Sequence, residues 1–224
     1  MNRVTLQLRK RAAPWVRQLW RGLRGAVLKK TDIVLPRIPP ELLAECRMCP
    51  SRWHLVEHLP RGGRVAEIGT DRGVFARHIL RINHPDELVL IDLDLSLVAS
   101  DVMQDKRVRA IAGPSEQIMR RFPDEHFDWV YIDSDHSYVG VSKDITAAAP
   151  KVKPGGFLIF NDFAHVDPFL GRYGVQRAVT EFATKSRWPF VWFAYSPAGL
   201  YDVALQKPGG PRAAGHEAAV TEGP

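Results

Sequence analysis

The sequence predicts an α/β fold: a doubly wound, mostly parallel sheet with helices on both faces, closed by an antiparallel hairpin and preceded by N-terminal helices. Three observations predict it. Apolar runs at about 64–69, 87–92, 107–112, 127–133 and 155–161 alternate with helix-patterned segments at about 73–83, 95–104, 115–121, 137–149 and 173–186. Strictly alternating strands and helices build parallel sheets. Next, Val65-Ala66-Glu67-Ile68 runs into a turn framed by Gly69 and Gly73, and Val74 opens a helix. That is the strand–loop–helix unit of a ligand-binding α/β domain. Last, Phe190–Tyr195 and Tyr201–Leu205 are strand-like runs joined by Ser196-Pro197-Ala198-Gly199. With no helix between them, one of the two must run antiparallel.

The elements follow in order along 224 residues, a length that suits one domain with appendages. Residues 1–30 carry nine Lys/Arg and no acid. Pro14 can open a helix there, and Trp15, Val16, Leu19, Trp20, Leu23, Ala26 and Val27 share one arc, with Arg17, Arg21 and Arg24 opposite. Such a helix suits an anionic membrane surface, its own domain or a second copy of the chain. It lacks the uninterrupted apolar core of a secretory signal. An Arg-rich, acid-free arm also has the character of a transit peptide, a lower-ranked reading. Ile33–Pro40 reads as a proline-rich linker, and 41–59 as helical, so that 31–59 forms a linker and cap. Residues 60–207 make the main domain, and the Gly/Pro/Ala-rich 208–224 a disordered tail.

Bulk properties exclude several classes. The net charge of +6 is less than the arm's nine positive residues, so the main domain is not basic and nucleic acid is not its expected partner. No apolar run reaches the ~20 residues that span a bilayer, which leaves a cytoplasmic protein with membrane association, if any, through residues 1–30. Cys46 and Cys49 form a lone Cys-x-x-Cys pair, without the second pair a structural zinc site needs.

The chemistry-bearing residues cluster at strand ends. Asp92 closes the second apolar run, nineteen residues past Gly73, where an acid accepts hydrogen bonds from ribose hydroxyls. The glycine turn is Gly-x-x-x-Gly rather than Gly-x-Gly-x-x-Gly, which loosens any link to a dinucleotide pyrophosphate. Glu67 stands where it can hold an ammonium group. Ribose and ammonium without phosphate describe S-adenosylmethionine. Further on, Asp128–Ile132 leads into Asp133-Ser134-Asp135-His136-Ser137-Tyr138, and Lys153-Pro154-Gly155-Gly156 launches a strand ending in Asn161-Asp162. If these strands are neighbours, Asp133, Asn161 and Asp162 form an oxygen-rich cluster of the kind that hard cations such as Mg²⁺ take.

These motifs, with Gly174-Val175-Gln176-Arg177-Ala178-Val179 and the final hairpin, resemble class I S-adenosylmethionine-dependent methyltransferases, in the bacterial branch related to catechol-type and macrolide-sugar O-methyltransferases. The resemblance covers roughly residues 50–207. It implies a seven-stranded Rossmann-like methyltransferase sheet and a methyl-transferring enzyme. It implies that Glu67, Gly69, Thr70 and Gly73 contact the methionine and ribose portions, Asp92 (with Asp94 the alternative) the ribose, and Ser115 and Glu116 the adenine. Asp133 belongs to both the cofactor and the metal positions. Asp133, Asn161 and Asp162 match the metal positions of metal-dependent members, although an acid is usual where Asn161 stands.

The expected reaction is O-methylation of a small-molecule, sugar or lipid-linked acceptor, with divalent metal as an optional aid. His136 takes the proton or instead caps the helix at 137. Asp133 assists it. Tyr138, His165, Trp53, His54 and His58 line the acceptor side or simply pack, and Asp135 either supports the site residues from behind or caps the helix at 137. Two other classes stand beside this one. A non-catalytic membrane- or partner-binding module would keep the fold and depend on residues 1–30. An NAD-dependent oxidoreductase would need the missing Gly-x-Gly-x-x-Gly and a parallel last strand.

Overall fold

The computed structural model describes residues 35–167, 171–196 and 199–209. The expected amphipathic helix of residues 1–30 and nearly all of the expected tail lie outside them. Ten strands are present among the described residues: β1 (Arg47–Cys49), β2 (Arg64–Ile68), β3 (Glu87–Asp92), β4 (Val108–Ala112), β5 (Phe127–Ile132), β6 (Val152–Phe160), β7 (Val166–Asp167), β8 (Gly171–Arg172), β9 (Phe190–Ala194) and β10 (Asp202–Gln206). The helices are α1 (Arg52–Glu57), α2 (Val74–Ile82), α3 (Ser100–Met103), α4 (Ser115–Met119), α5 (Tyr138–Ala148) and α6 (Val175–Ser186).

Eight strands form one sheet in the order β1-β9-β10-β6-β5-β2-β3-β4, and β7 and β8 form a separate small hairpin. From β4 to β6 all pairings are parallel. β10 runs antiparallel to both β6 and β9, so the last two strands form the expected hairpin. The central strands are covered on both faces, which is why they read as unbroken apolar runs rather than alternating ones. Alternate residues still choose opposite sides. Ala66, Ile68, Val130, Ile132 and Leu158 pack on one face with α4, α5 and α6. Val65, Leu88, Leu90, Trp129 and Ile159 pack on the other with α1 and α2.

Three local readings are corrected. Residues 41–59 are not one helix. A short 3-10 turn spans Pro40–Leu42, then β1 adds an eighth strand at the sheet edge, parallel to β9. Pro50 disfavours helix at Cys49, and α1 begins only after Ser51, whose hydroxyl accepts from the His54 amide at 3.4 Å. The segment expected as helix at 95–104 is helical only over α3, because Asp94 Oδ1 accepts from the Ser96 amide at 2.9 Å and holds a turn there. The strand expected from 155 begins at Val152, with Pro154-Gly155-Gly156 inside it opposite a register shift between Phe127 and Trp129.

Candidate active site

The chain leaves β2 toward β3 and β4 on one side and returns to β5 on the other. β2 and β5 are therefore the neighbours where strand order reverses, and a crevice opens beyond their C-terminal ends. The backbone there is tightly fixed. The Asp133 amide donates to the Ile68 carbonyl at 2.8 Å, and the Gly69 amide to that of Ile91 at 2.8 Å. Gly69 has φ +89°, and a Cβ would collide with the Asp133 carbonyl oxygen. Gly73, at φ +75°, starts α2 in the left-handed region.

Asp92 ties this loop down. Its Oδ2 accepts from the amides of Thr70 and Asp71, each at 3.0 Å, and its Oδ1 from the Asp94 amide at 3.3 Å. The expected ribose acid thus also shapes the loop, while a carboxylate's lone pairs leave acceptor capacity for hydroxyls. Asp92→Ala should therefore weaken S-adenosylmethionine binding at least tenfold, since hydrogen bonds to a charged group are worth ~1.5–3 kcal/mol each. Calorimetric titration checks this, and unchanged affinity removes Asp92 from the site.

Glu67 lies on β2 between Leu90 and Tyr131, and is 1% exposed. Its Oε2 and the Thr70 Oγ1 are buried and neither makes a hydrogen bond of ordinary geometry among the described residues, although the Thr70 hydroxyl lies near enough to favour the charged carboxylate. Burial, reinforced by the negative Asp133, pushes the Glu67 carboxyl well above the ordinary carboxylate range. The Arg52 guanidinium stands over the Trp53 and Phe75 rings, 5.1 and 5.3 Å from their centroids, and its Nη1 is 3.6 Å from Asp133 Oδ2. A buried carboxyl lacking a well-formed hydrogen bond and a guanidinium therefore share one rim.

The three expected metal residues come together, but not around an open cation position. The His136 imidazole stands among them: Nε2 is 3.4 Å from Asp133 Oδ1, 3.4 Å from Asn161 Oδ1 and 3.7 Å from Asp162 Oδ2. Among the described residues no group of three or more His, Cys, Asp or Glu is placed to hold a metal ion. Asn161 contributes no charge, and its amide nitrogen is committed elsewhere. The set does not fit Mg²⁺; a ring nitrogen stands where sequence reasoning placed a cation. Burial alone would lower the His136 pKa, but Asp133, Asp162 and Asn161 outweigh it and raise it above the usual 6.5. Burial raises Asp162 above the usual carboxylate value.

Beneath this cluster lies a buried polar layer. Tyr131 donates its hydroxyl to Asp202 Oδ2 at 2.5 Å, and Asn161 Nδ2 donates to Asp202 Oδ1 at 3.2 Å and to the Tyr131 oxygen at 3.3 Å. Desolvation pushes the Asp202 carboxyl up to about 6. Sequence reasoning missed Arg52, Tyr131 and Asp202. Tyr131 and Asp202 left one signal each: a phenol and an acid inside otherwise apolar strands must be paired when buried. Arg52 left none, because only tertiary packing brings α1 to the crevice.

The other candidates divide. Ser115 and Ser134 both donate to the buried Asp144, at 2.5 and 2.6 Å, joining the start of α4 to the loop after β5. Glu116 pairs with Arg120 at 2.9 Å. Ser137, not Asp135, caps α5 by accepting from the Gly140 amide, and Asp135 accepts from the Ser137 amide. His136 is thus not the cap. Its ring stacks on Tyr173, 4.6 Å between centroids, and His165 meets Tyr173 edge-on at 4.8 Å. Tyr138 donates to Glu181 under the Arg177 guanidinium. Trp53 packs edge-on against Phe75, His54 contacts Ser51, and His58 stacks on Trp192.

Comparison with known proteins bears on the same residues. Residues 66–163, from β2 through the cluster at Asp162, match the family described as Methyltransferase domain. This stretch is similar to a methyltransferase domain. The curated malonyl-[acyl-carrier protein] O-methyltransferase of Bacteroides thetaiotaomicron is 34% identical to it over 74 residues, 32% of this chain. The chain matches only 28% of that relative's length. The N-methyltransferase NodS from Bradyrhizobium japonicum WM9, solved with S-adenosyl-L-homocysteine, superimposes on 70% of this chain and 86% of its own with a TM-score of 0.57 at 15% identity. An O-methyltransferase family protein from Burkholderia thailandensis covers 71% of this chain and 56% of its own, with a TM-score of 0.54 at 16% identity. These likenesses establish the mostly parallel methyltransferase fold. No helix among the described residues is long and apolar enough to cross a membrane.

Proposed function

We propose that this chain binds S-adenosylmethionine over β2 and transfers its methyl group to a hydroxyl of a small-molecule, sugar or lipid-linked acceptor. One observation carries the reading: the Oε2 of buried Glu67, which makes no hydrogen bond of ordinary geometry, near the Arg52 guanidinium. An uncompensated buried carboxyl is costly. An ammonium would satisfy it, and the guanidinium alongside suits the carboxylate of the same amino-acid group. Asp92 offers acceptors to ribose hydroxyls, and the Gly69 turn lets backbone approach closely. The bound sulfonium supplies an electrophilic methyl group. The protein's part is to hold an acceptor oxygen in line, where proximity accounts for much of the acceleration, and to take its proton on His136.

The test is calorimetric titration across pH. Micromolar affinity, about −8 kcal/mol, is expected near neutrality. Because Glu67 is protonated over a wider range than an ordinary carboxyl, an incoming ammonium displaces its proton. Binding should release a proton and tighten as pH rises until Glu67 ionises in the free protein, by up to tenfold per unit. Glu67→Gln should weaken binding and flatten that dependence. A dinucleotide binding in place of the sulfonium compound, or a pH-independent affinity identical in the Gln variant, would defeat the reading. Methyl transfer from isotopically labelled cofactor to a panel of hydroxyl acceptors then identifies the acceptor class.

A further inference from the structure

Asp202 is a buried acid that the methyl-transfer chemistry leaves without a task. It opens β10, is 4% exposed, and lies about seventy residues in sequence from Tyr131, its hydroxyl donor. Its two oxygens are specifically used. Oδ2 accepts from the Tyr131 hydroxyl, and Oδ1 accepts from Asn161 Nδ2. Asn161 Nδ2 has two hydrogens, and its two acceptors are Asp202 Oδ1 and the Tyr131 oxygen.

This fixes which way the Asn161 carboxamide faces. Turned over, it would set its carbonyl oxygen against a carboxylate, acceptor against acceptor. Held as it is, Oδ1 faces His136 Nε2 at 3.4 Å. Asp133 Oδ1 and Asp162 Oδ2 face the same nitrogen. All three neighbours accept, so a hydrogen on Nε2 is favoured in both the charged and the neutral ring. The Tyr173 ring, stacked on the imidazole with 28° between planes, limits the ring's tilt. In the neutral ring the remaining lone pair is then on Nδ1.

We infer that Asp202, acting through the Asn161 carboxamide and alongside Asp133 and Asp162, is a positioning residue that favours the Nε2–H tautomer of His136 and leaves Nδ1 to accept the acceptor hydroxyl's proton. The inference rests on the reading of His136 as proton acceptor. It extends that reading to a residue on the final hairpin that no motif singles out. As the acceptor oxygen bonds to the methyl carbon, the methyl–sulfur bond breaks with its electron pair going to the sulfonium sulfur, the O–H pair stays on oxygen and the proton passes to Nδ1.

The deciding measurement is the long-range ¹H–¹⁵N spectrum of the full chain labelled at histidine nitrogens, at about pH 9, where imidazole is neutral. The His136→Gln variant identifies the signal. In the wild-type protein His136 should show a protonated Nε2 and a bare Nδ1. Asp202→Asn gives Asn161 a donor to face and permits its carboxamide to turn. The His136 signal should then shift toward a mixture with the Nδ1–H form. With the hydroxyl acceptor found by the labelled-methyl screen, kcat should fall roughly tenfold or more, as a wrong tautomer costs a triad histidine, while S-adenosylmethionine affinity stays within about twofold. Tyr131→Phe, which removes one of the two Nδ2 acceptors, should act in the same direction and less strongly; it serves if the Asn variant fails to fold. An Nδ1–H wild-type histidine overturns the inference, as do variants with unchanged tautomer and kcat. The wild-type spectrum is read without substrate, so a clear Nε2–H signal in a protein that transfers no methyl group defeats the enzymatic reading while leaving the tautomer assignment standing.

Discussion

His136→Gln should lower kcat by about 10²–10⁴-fold, the usual contribution of a positioned proton acceptor, with S-adenosylmethionine affinity nearly unchanged. The imidazole stands against Asp133, Asn161 and Asp162, so among the expected cofactor residues Asp133 is the one that loses a neighbour, and the glutamine amide can replace it. Glutamine keeps a donor for those oxygens and keeps the ring's approximate volume, which separates chemistry from folding. The wild-type rate should also carry a sign. A proton acceptor works as the neutral ring, and the acids around His136 raise its pKa above 6.5. The rate should therefore climb with pH through a midpoint higher than that of an ordinary histidine, and the Gln variant should lose that climb. EDTA should leave the wild-type rate intact, because the three oxygens surround a ring nitrogen rather than a cation position. A pH-independent wild-type rate, or activity abolished by EDTA and restored by Mg²⁺, would count against His136 in this role.

Gly69→Ala is expected to damage both stability and cofactor binding. The residue's φ of +89° alone strains an alanine, at ~1–3 kcal/mol. The larger problem is space, since the new methyl meets the Asp133 carbonyl, whose own residue is locked to Ile68 by a 2.8 Å backbone bond. Strands β2 and β5 must part at the point where the ligand crevice begins. A combined cost of about 3–5 kcal/mol follows from the severe steric class of substitution, lowering the melting temperature by roughly 10 °C for a chain of this size. Gly62→Ala is the control. It has a similar φ of +70° but only Asp86 Oδ2, 3.9 Å away, so it should pay the strain alone. Equal melting temperatures for the two variants would show that the contact with Asp133 does not matter.

Much of this architecture was legible in the residues. β3 occupies Glu87–Asp92, and the terminal hairpin is antiparallel as its missing helix implied. Apolar runs bounded by turn residues are local signals, and local chemistry reads well. The segment at 41–59 reads poorly for the same reason: its helical composition is local, whereas β1 forms only because β9 offers an unpaired edge. The oxygen cluster shows the division most clearly. That Asp133, Asn161 and Asp162 would meet followed from neighbouring parallel strands. What they would surround did not, because His136 enters from the loop beyond β5 and its ring is placed by stacking on Tyr173 from a separate hairpin.

By itself the sequence determined the strand–helix alternation, the glycine-framed turn with its acid partner, and the set of oxygen donors at strand ends, since each follows from spacing along the chain. Tertiary structure alone decided that Arg52 stands beside Asp133, that an imidazole fills the oxygen cluster, and that Asp202 lies beneath Asn161. Those depend on which distant segments share an edge of the sheet, and desolvation at that edge is what turns ordinary side chains into groups with altered proton affinity.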